Sequence, residues 1–157
     1  MTAQSRFRRF RQRGGALVAA QFALIGLVFV GAWRGGRVSR LQKGAGLTLV
    51  VLGGAVVVGG GRSLGQGFSV MPEPTDTAQL VTDGLYARVR HPIYSSLLAI
   101  SLGWALFWGS REALGWTVAL AALLHFKSAR EETALLARFP HYAAYRRRTK
   151  RFVPGVV

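Results

Sequence analysis

Residues 84 to 98, GLYARVRHPIYSSLL, set Arg88, Arg90, His91, Pro92 and two tyrosines, Tyr86 and Tyr94, against the start of an apolar run. Proline suits the first turn of a helix, where its missing N–H is not needed, so a helix is expected to begin near His91. Such a start offers free N–H groups and a partial positive charge to an anionic ligand group. Further on, Lys127 and Glu131 stand four apart, on one face of a helix, and Glu131-Glu132 is an acidic pair in a basic region. The chain has no Cys and only three His, none paired at metal-ligand spacing. Disulfides, thiolate catalysis and Cys-ligated zinc are thereby excluded, and no metal is expected. What is left is chemistry of binding and positioning by carboxylate, phenol, imidazole and cation.

The elements that must carry these residues are apolar. Half of the 157 residues are hydrophobic, yet Lys plus Arg number 21 against 6 Asp plus Glu. Residues 14–33 and 44–61 are uncharged, each long enough to cross a hydrocarbon core of about 30 Å. Between His91 and Phe126 the only charges are Arg111 and Glu112, at the turn WGSREALG. The expectation is an all-α, polytopic membrane protein of about four transmembrane helices, 14–33, 44–61, 92–109 and 113–130, forming a single domain over 1–157. The fourth apolar run, Ala113 to Phe126, is too short alone. Good helix formers follow it, so one long helix is expected to leave the membrane near Lys127 and end at Phe139-Pro140. The tail PHYAAYRRRTKRFVPG suits a short interfacial helix, with Tyr142 and Tyr145 inward and its cations toward headgroups.

The basic opening RFRRFRQR lacks an A-x-A-like site and precedes a run longer than a signal's, so an uncleaved first span is expected. Four spans gather 16 basic residues on one side and 5 on the other. The positive-inside rule then puts both termini and the 62–90 loop in the cytoplasm. Topology and attraction to anionic headgroups account for the high charge, so no nucleic-acid partner is expected. Spans one and two read as scaffold, with small residues four apart (Gly15, Ala19, Ala23; Ala55, Gly59) for close approach. Neither holds an ionisable group, which argues against a transporter or channel.

Taken singly, the suggestive residues have ordinary readings. Arg90 is a snorkelling cation, the tyrosines an interfacial belt, and Glu131-Glu132 surface charges paired with Lys127 or Arg138. His125 and His141 read as structural. Their order along the chain is what these readings leave unexplained. LVTDGLYARVRHPIY, then an apolar hairpin, then EETALLARFPHYAAYRRRTKRFVP resembles the isoprenylcysteine carboxyl methyltransferase and phospholipid methyltransferase family of integral membrane enzymes. The resemblance covers roughly 62–154.

The resemblance implies S-adenosylmethionine as cofactor, in a cofactor-binding part spanning 62–157 on the cytoplasmic side. It implies cofactor contacts from Ala78, Gln79, Leu80 and Val81, from Tyr86, from His91, Pro92, Ile93 and Tyr94, and from Glu131. A lipophilic substrate would come from the bilayer: an isoprenylcysteine-like carboxylate, a phospholipid amine or another lipid group. The substrate-facing position is Lys127, where the prenylcysteine enzymes have Arg. Arg clamps a carboxylate bidentately and Lys is a point charge, so this departure counts against a carboxylate. Pro140 and Ser96 stand where Gly is common. Leu80, Val81 and Ile93 would form an adenine slot, Glu131 an acceptor for ribose or amino groups, and the N–H groups near His91 donors for the methionyl carboxylate. No catalytic side chain is assigned. The alternatives are an NADPH-dependent sterol-reductase-like enzyme, which usually carries Asn where Ile93 stands, and a non-enzymatic membrane scaffold.

Overall fold

The computed structural model describes residues 14–67, 69 and 79–155. Among them every regular element is helical: α1 Gly15–Ala32, α2 Arg40–Leu64, α3 Pro92–Trp108, α4 Arg111–Arg138 and α5 Tyr142–Arg148, with 3₁₀ turns at Gly65–Gly67 and Gly84–Ala87. α2 begins ahead of its apolar run because Ser39 caps it, accepting from the Gln42 N–H at 3.2 Å, and because Arg40 and Lys43 are good helix formers. α3 starts at Pro92, as expected. α4 is one unbroken helix of 28 residues, about 42 Å at about 1.5 Å per residue. α3 closes on Gly109 in the left-handed region (φ 63°) and α4 opens on Ser110, whose Oγ accepts from the Ala113 N–H at 3.1 Å. A left-handed residue is the ordinary stop for a helix and glycine adopts it without strain.

α1 and α2 are long and apolar enough to cross a membrane, with mean hydropathies of 2.1 and 1.8. Their outward faces carry Phe22, Phe29, Leu47, Val51 and Val58, all exposed. Apolar surface on this scale calls for an apolar surrounding rather than water.

α2 packs along α3, α3 against α4, and α4 against α1. The α2–α3 contact runs through Gly46, Gly53 and Gly60, all buried and seven apart. A Cβ on Gly103 of α3 would lie 2.5 Å from the Gly46 carbonyl oxygen, and one on Gly53 would lie 2.7 Å from Ile100 Cγ1. Of the small residues expected to mediate close approach, Gly15 is buried and a Cβ on Gly59 would lie 3.3 Å from Leu85 Cδ1, but the three alanines do not serve. Ala19, Ala23 and Ala55 are exposed, since Ala55, two residues beyond Gly53, lies about 200° round the helix. Seven residues is nearly two whole turns, so the glycine line stays on the partner. The contact of α1 with α3 and α4 buries Val28 and Ala32 with Ala105 and Ala113. It is pinned at one end by Ser110 Oγ donating to the Gly31 carbonyl at 2.7 Å and by Arg34 Nη1 against Glu112 at 2.9 Å.

The starts of α1 and α3 therefore share one end of the molecule with the ends of α2 and α4. All the motif residues gather at that end. Replacing Gly103 by Leu is expected to lower stability by about 1–3 kcal/mol or more through overpacking. Gly54→Ala, where a Cβ meets nothing within 4 Å, should leave the melting temperature unchanged or raise it slightly. Melting curves in detergent compare the two.

Candidate active site

The chain enters the site through the 3₁₀ turn Gly84–Ala87. Gly84 takes φ 54°, and the Asp83 carbonyl accepts from the Tyr86 and Ala87 N–H groups at 2.9 and 3.3 Å. The turn aims Tyr86 inward. Tyr145 of α5 donates its hydroxyl to the Tyr86 carbonyl at 2.6 Å, so the C-terminal helix is fastened to the turn. The next residues lie beside the tail. The Arg90 N–H donates to the Lys150 carbonyl at 2.8 Å and the His91 N–H to the Arg151 carbonyl at 3.1 Å. These two amides are thus occupied, and the expectation that N–H groups near His91 serve a ligand fails for them.

Arg90 is not a snorkelling cation. Its side chain is 9 % exposed and its Nε donates to Glu132 Oε1 at 2.9 Å, while Nη1 reaches the carbonyls of Arg146 and Thr149. His91 Nε2 lies 3.2 Å from the same Glu132 oxygen, Arg151 Nε at 3.2 Å, and Arg146 Nε 3.2 Å from Oε2. Glu132 is no surface charge paired with Lys127 or Arg138. It is a 2 % exposed carboxylate ringed by three guanidiniums and an imidazole. Burial alone would push its carboxyl up, but hydrogen bonds from His91, Arg90 and Arg151 hold it down at about 2. Of the tail cations expected to face headgroups, Arg151 turns inward to Glu132, Arg146 reaches Glu132 while remaining exposed, and Arg147, Arg148 and Lys150 are exposed.

Glu131, one residue earlier, faces elsewhere. Its Oε2 accepts the Tyr94 hydroxyl at 2.8 Å, and the Tyr94 ring stacks on His91 with centroids 5.3 Å apart. A cavity of about 270 Å³ opens in front of this group. Of the ten residues expected to hold a cofactor, Gln79, Leu80, Val81, Tyr86, His91, Pro92, Ile93, Tyr94 and Glu131 all line it. Ala78 lies outside the described residues. Lys127 forms no part of the wall. It is wholly buried, its Nζ donating to Gln21 Oε1 at 2.5 Å and lying 5.2 Å from the Tyr94 ring centroid.

Sequence reasoning missed several wall residues: Gln21, Phe22 and Ile25 of α1, Val57 of α2, Leu97 of α3, and Tyr142 and Tyr145 as ligand-facing groups. Gln21 had a signal, being the one polar side chain in the uncharged run 14–33. Tyr142 is 1 % exposed, lines the cavity, and its hydroxyl has no hydrogen-bond partner among the described residues. Burial and then the nearby Glu132 charge push its phenol up, so it is protonated and available as a donor. An unpaired buried hydroxyl costs about 1–3 kcal/mol, and a ligand atom reaching it from the cavity that Tyr142 lines would satisfy it. The site thus combines an apolar wall, a carboxylate acceptor and an orphan donor. That set fits a ligand with a flat apolar part, hydroxyl or amino donors and an anionic acceptor.

A family model described as phospholipid methyltransferase matches residues 41–142. The matched stretch takes in nearly all of α2, all of α3 and α4 and the cavity wall from Val57 to Tyr142, and it leaves α1 outside. Among curated proteins none matches the chain.

The Glu132 cluster yields the first electrostatic test. Glu132→Gln should cost about 3–5 kcal/mol, because it leaves buried cations without their counter-charge. A carboxyl held low in the folded state contributes stability that is present above its ordinary value of 4.5 and lost as pH falls toward 2. The melting-temperature gap between wild type and Glu132→Gln should therefore be widest above pH 4.5 and close below it. A gap independent of pH would show that the charge is not what Glu132 supplies.

Proposed function

That the chain belongs to the phospholipid methyltransferase family is the premise from which we propose that it is an S-adenosylmethionine-dependent methyltransferase acting on a lipophilic acceptor within a membrane. The observation that carries the reading is the convergence, in one cavity, of the Glu131–Tyr94 pair with the unpartnered Tyr142 hydroxyl. Leu80, Val81 and Ile93 form the slot for the adenine face. Glu131, oriented by Tyr94, accepts from ribose hydroxyls or the amino group. Tyr142 donates to the methionyl carboxylate. His91 stacks on Tyr94 and keeps that ring in place. S-adenosylmethionine bound there supplies a methyl group already activated on a sulfonium.

The chain's own task is then alignment and exclusion of water. Holding two reactants in line can contribute about 7–11 kcal/mol, and no nucleophilic side chain is needed. Tyr94 and Glu131 are suited to this because each fixes the other, so the acceptor oxygen needs little reorganisation when the ligand arrives.

The membrane setting follows the same reading. α1 and α2 are joined by α3 and the first part of α4 as four spans, and the charge asymmetry of 16 basic residues against 5 puts both termini and the cavity on the cytoplasmic side. The cofactor enters from water. The acceptor enters from the bilayer, beside the apolar wall of Phe22, Ile25 and Leu97.

Equilibrium titration of purified protein in nanodiscs tests this reading. S-adenosylmethionine is expected to bind and NADPH not to. Glu131→Gln and Tyr142→Phe should each weaken S-adenosylmethionine binding about tenfold, the effect of about 1.4 kcal/mol for one hydrogen bond. No S-adenosylmethionine binding, or binding that neither substitution changes, would overturn the assignment.

A further inference from the structure

Gln21 stands in α1, ahead of the segment that the family model covers, and is 4 % exposed in the middle of an apolar helix. A polar group at such a position is expensive and needs a partner. One side of its amide has one: Oε1 accepts from Lys127 Nζ at 2.5 Å. The chemistry fixes which side. An ammonium carries donors and no acceptor, so the amide must turn its oxygen to Lys127. Its NH₂ is then the amide group left free of Lys127, in a residue that lines the cavity. Lys127 is wholly buried and does not reach the wall. Its charge is felt there through the amide, because accepting from a cation polarises the group and strengthens its own N–H as a donor.

Around this donor the wall is apolar, formed by Phe22, Ile25 and Leu97, and the Glu131 oxygen nearest Tyr94 is already engaged. We infer that Gln21 is the headgroup contact for the lipid acceptor, and that its Lys127-polarised amide selects an acceptor carrying an anionic oxygen, a carboxylate or a phosphate, over a cationic amine. The inference rests on the methyltransferase reading for what the cavity does. It adds the residue that reads the acceptor and the charge that it reads. It also changes the meaning of lysine at 127, whose role is to orient and polarise Gln21 rather than to clamp a carboxylate itself.

Binding of dodecanoate, dodecyl phosphate and dodecylamine to the purified chain in detergent micelles tests the selection. Dodecanoate or dodecyl phosphate should bind at least about tenfold more tightly than dodecylamine, as expected for a hydrogen bond to a charged group, and which of the two is tighter separates a carboxylate acceptor from a phosphate one. Equal or tighter binding of the amine overturns the inference. In Gln21→Glu the new carboxylate still accepts from Lys127, so the fold keeps its buried partner, but no N–H faces the cavity. The anion's affinity should drop by about tenfold or more. An unchanged anion affinity in a variant that melts as wild type does would show that Gln21 only supports Lys127, and would likewise overturn the inference. Absence of S-adenosylmethionine binding to the wild type would instead remove the methyltransferase reading, and the anion preference would still be measurable.

Discussion

One buried carboxylate holds the working end of this molecule together. Glu132 gathers Arg90 and His91 from the start of α3, and Arg146 and Arg151 from the tail. Three stretches far apart in the chain meet on two oxygens. Removing a charge from water is costly, and the cost is offset only when every lone pair finds a donor. Here the donors converge from several directions, so the arrangement also defines where the tail lies. Once Arg151 is drawn to Glu132, its carbonyl is in reach of the His91 N–H, and Tyr145 is in reach of the Tyr86 carbonyl. The Tyr86 turn, the start of α3 and α5 thus hold their relative positions through one electrostatic centre, and the cavity lies between them.

The neighbouring glutamates of α4 show how a single step along a helix separates two tasks. Adjacent residues lie about 100° apart round the axis. Glu132 points into the basic cluster and Glu131 into the cavity, where Tyr94 holds it. His91 touches both, with Nε2 toward Glu132 and its ring against Tyr94. The structural centre therefore orients the ligand-facing pair at one remove. Neither glutamate could be exchanged for the other without turning the helix.

What was legible in the sequence is what depends on local pattern. Uncharged runs marked the helices, Pro92 marked the start of α3, and the helix formers after Phe126 marked the extension of α4 to Arg138. The ordered motifs brought nine described positions to one cavity because their order is the residue of a shared fold. What depends on pairing across the chain was not legible. Arg90 among snorkelling cations, Glu132 among helix-surface charges and Arg151 among headgroup cations each had a sufficient local explanation, and only the fold brings them within 3.2 Å. The α2–α3 contact was missed for a related reason. Small residues four apart were read as a contact face, but α2 carries glycine on several faces, and which of them is used is decided by Gly103 on the partner helix.

Gln21 belongs to a third kind. Its residue type was visible, but an amide in an apolar run has no meaning until its partner is known. Lys127 is wholly enclosed, its Nζ on the Gln21 amide oxygen and over the Tyr94 face, with the Glu131 carboxylate acting on it electrostatically. On the proposed reading, a site built this way polarises the Gln21 amide without placing an ammonium on the wall. That matters for a lipid acceptor, because an ammonium at the wall would be strongly hydrated and would bring water to the place where alkyl transfer must be kept dry. An amide that relays the charge keeps the wall less hydrated while still discriminating by sign. On the proposed function, the first helix, outside the matched family segment, would be more than a scaffold: it would supply the polar atom by which an acceptor arriving from the bilayer is told from the lipids around it.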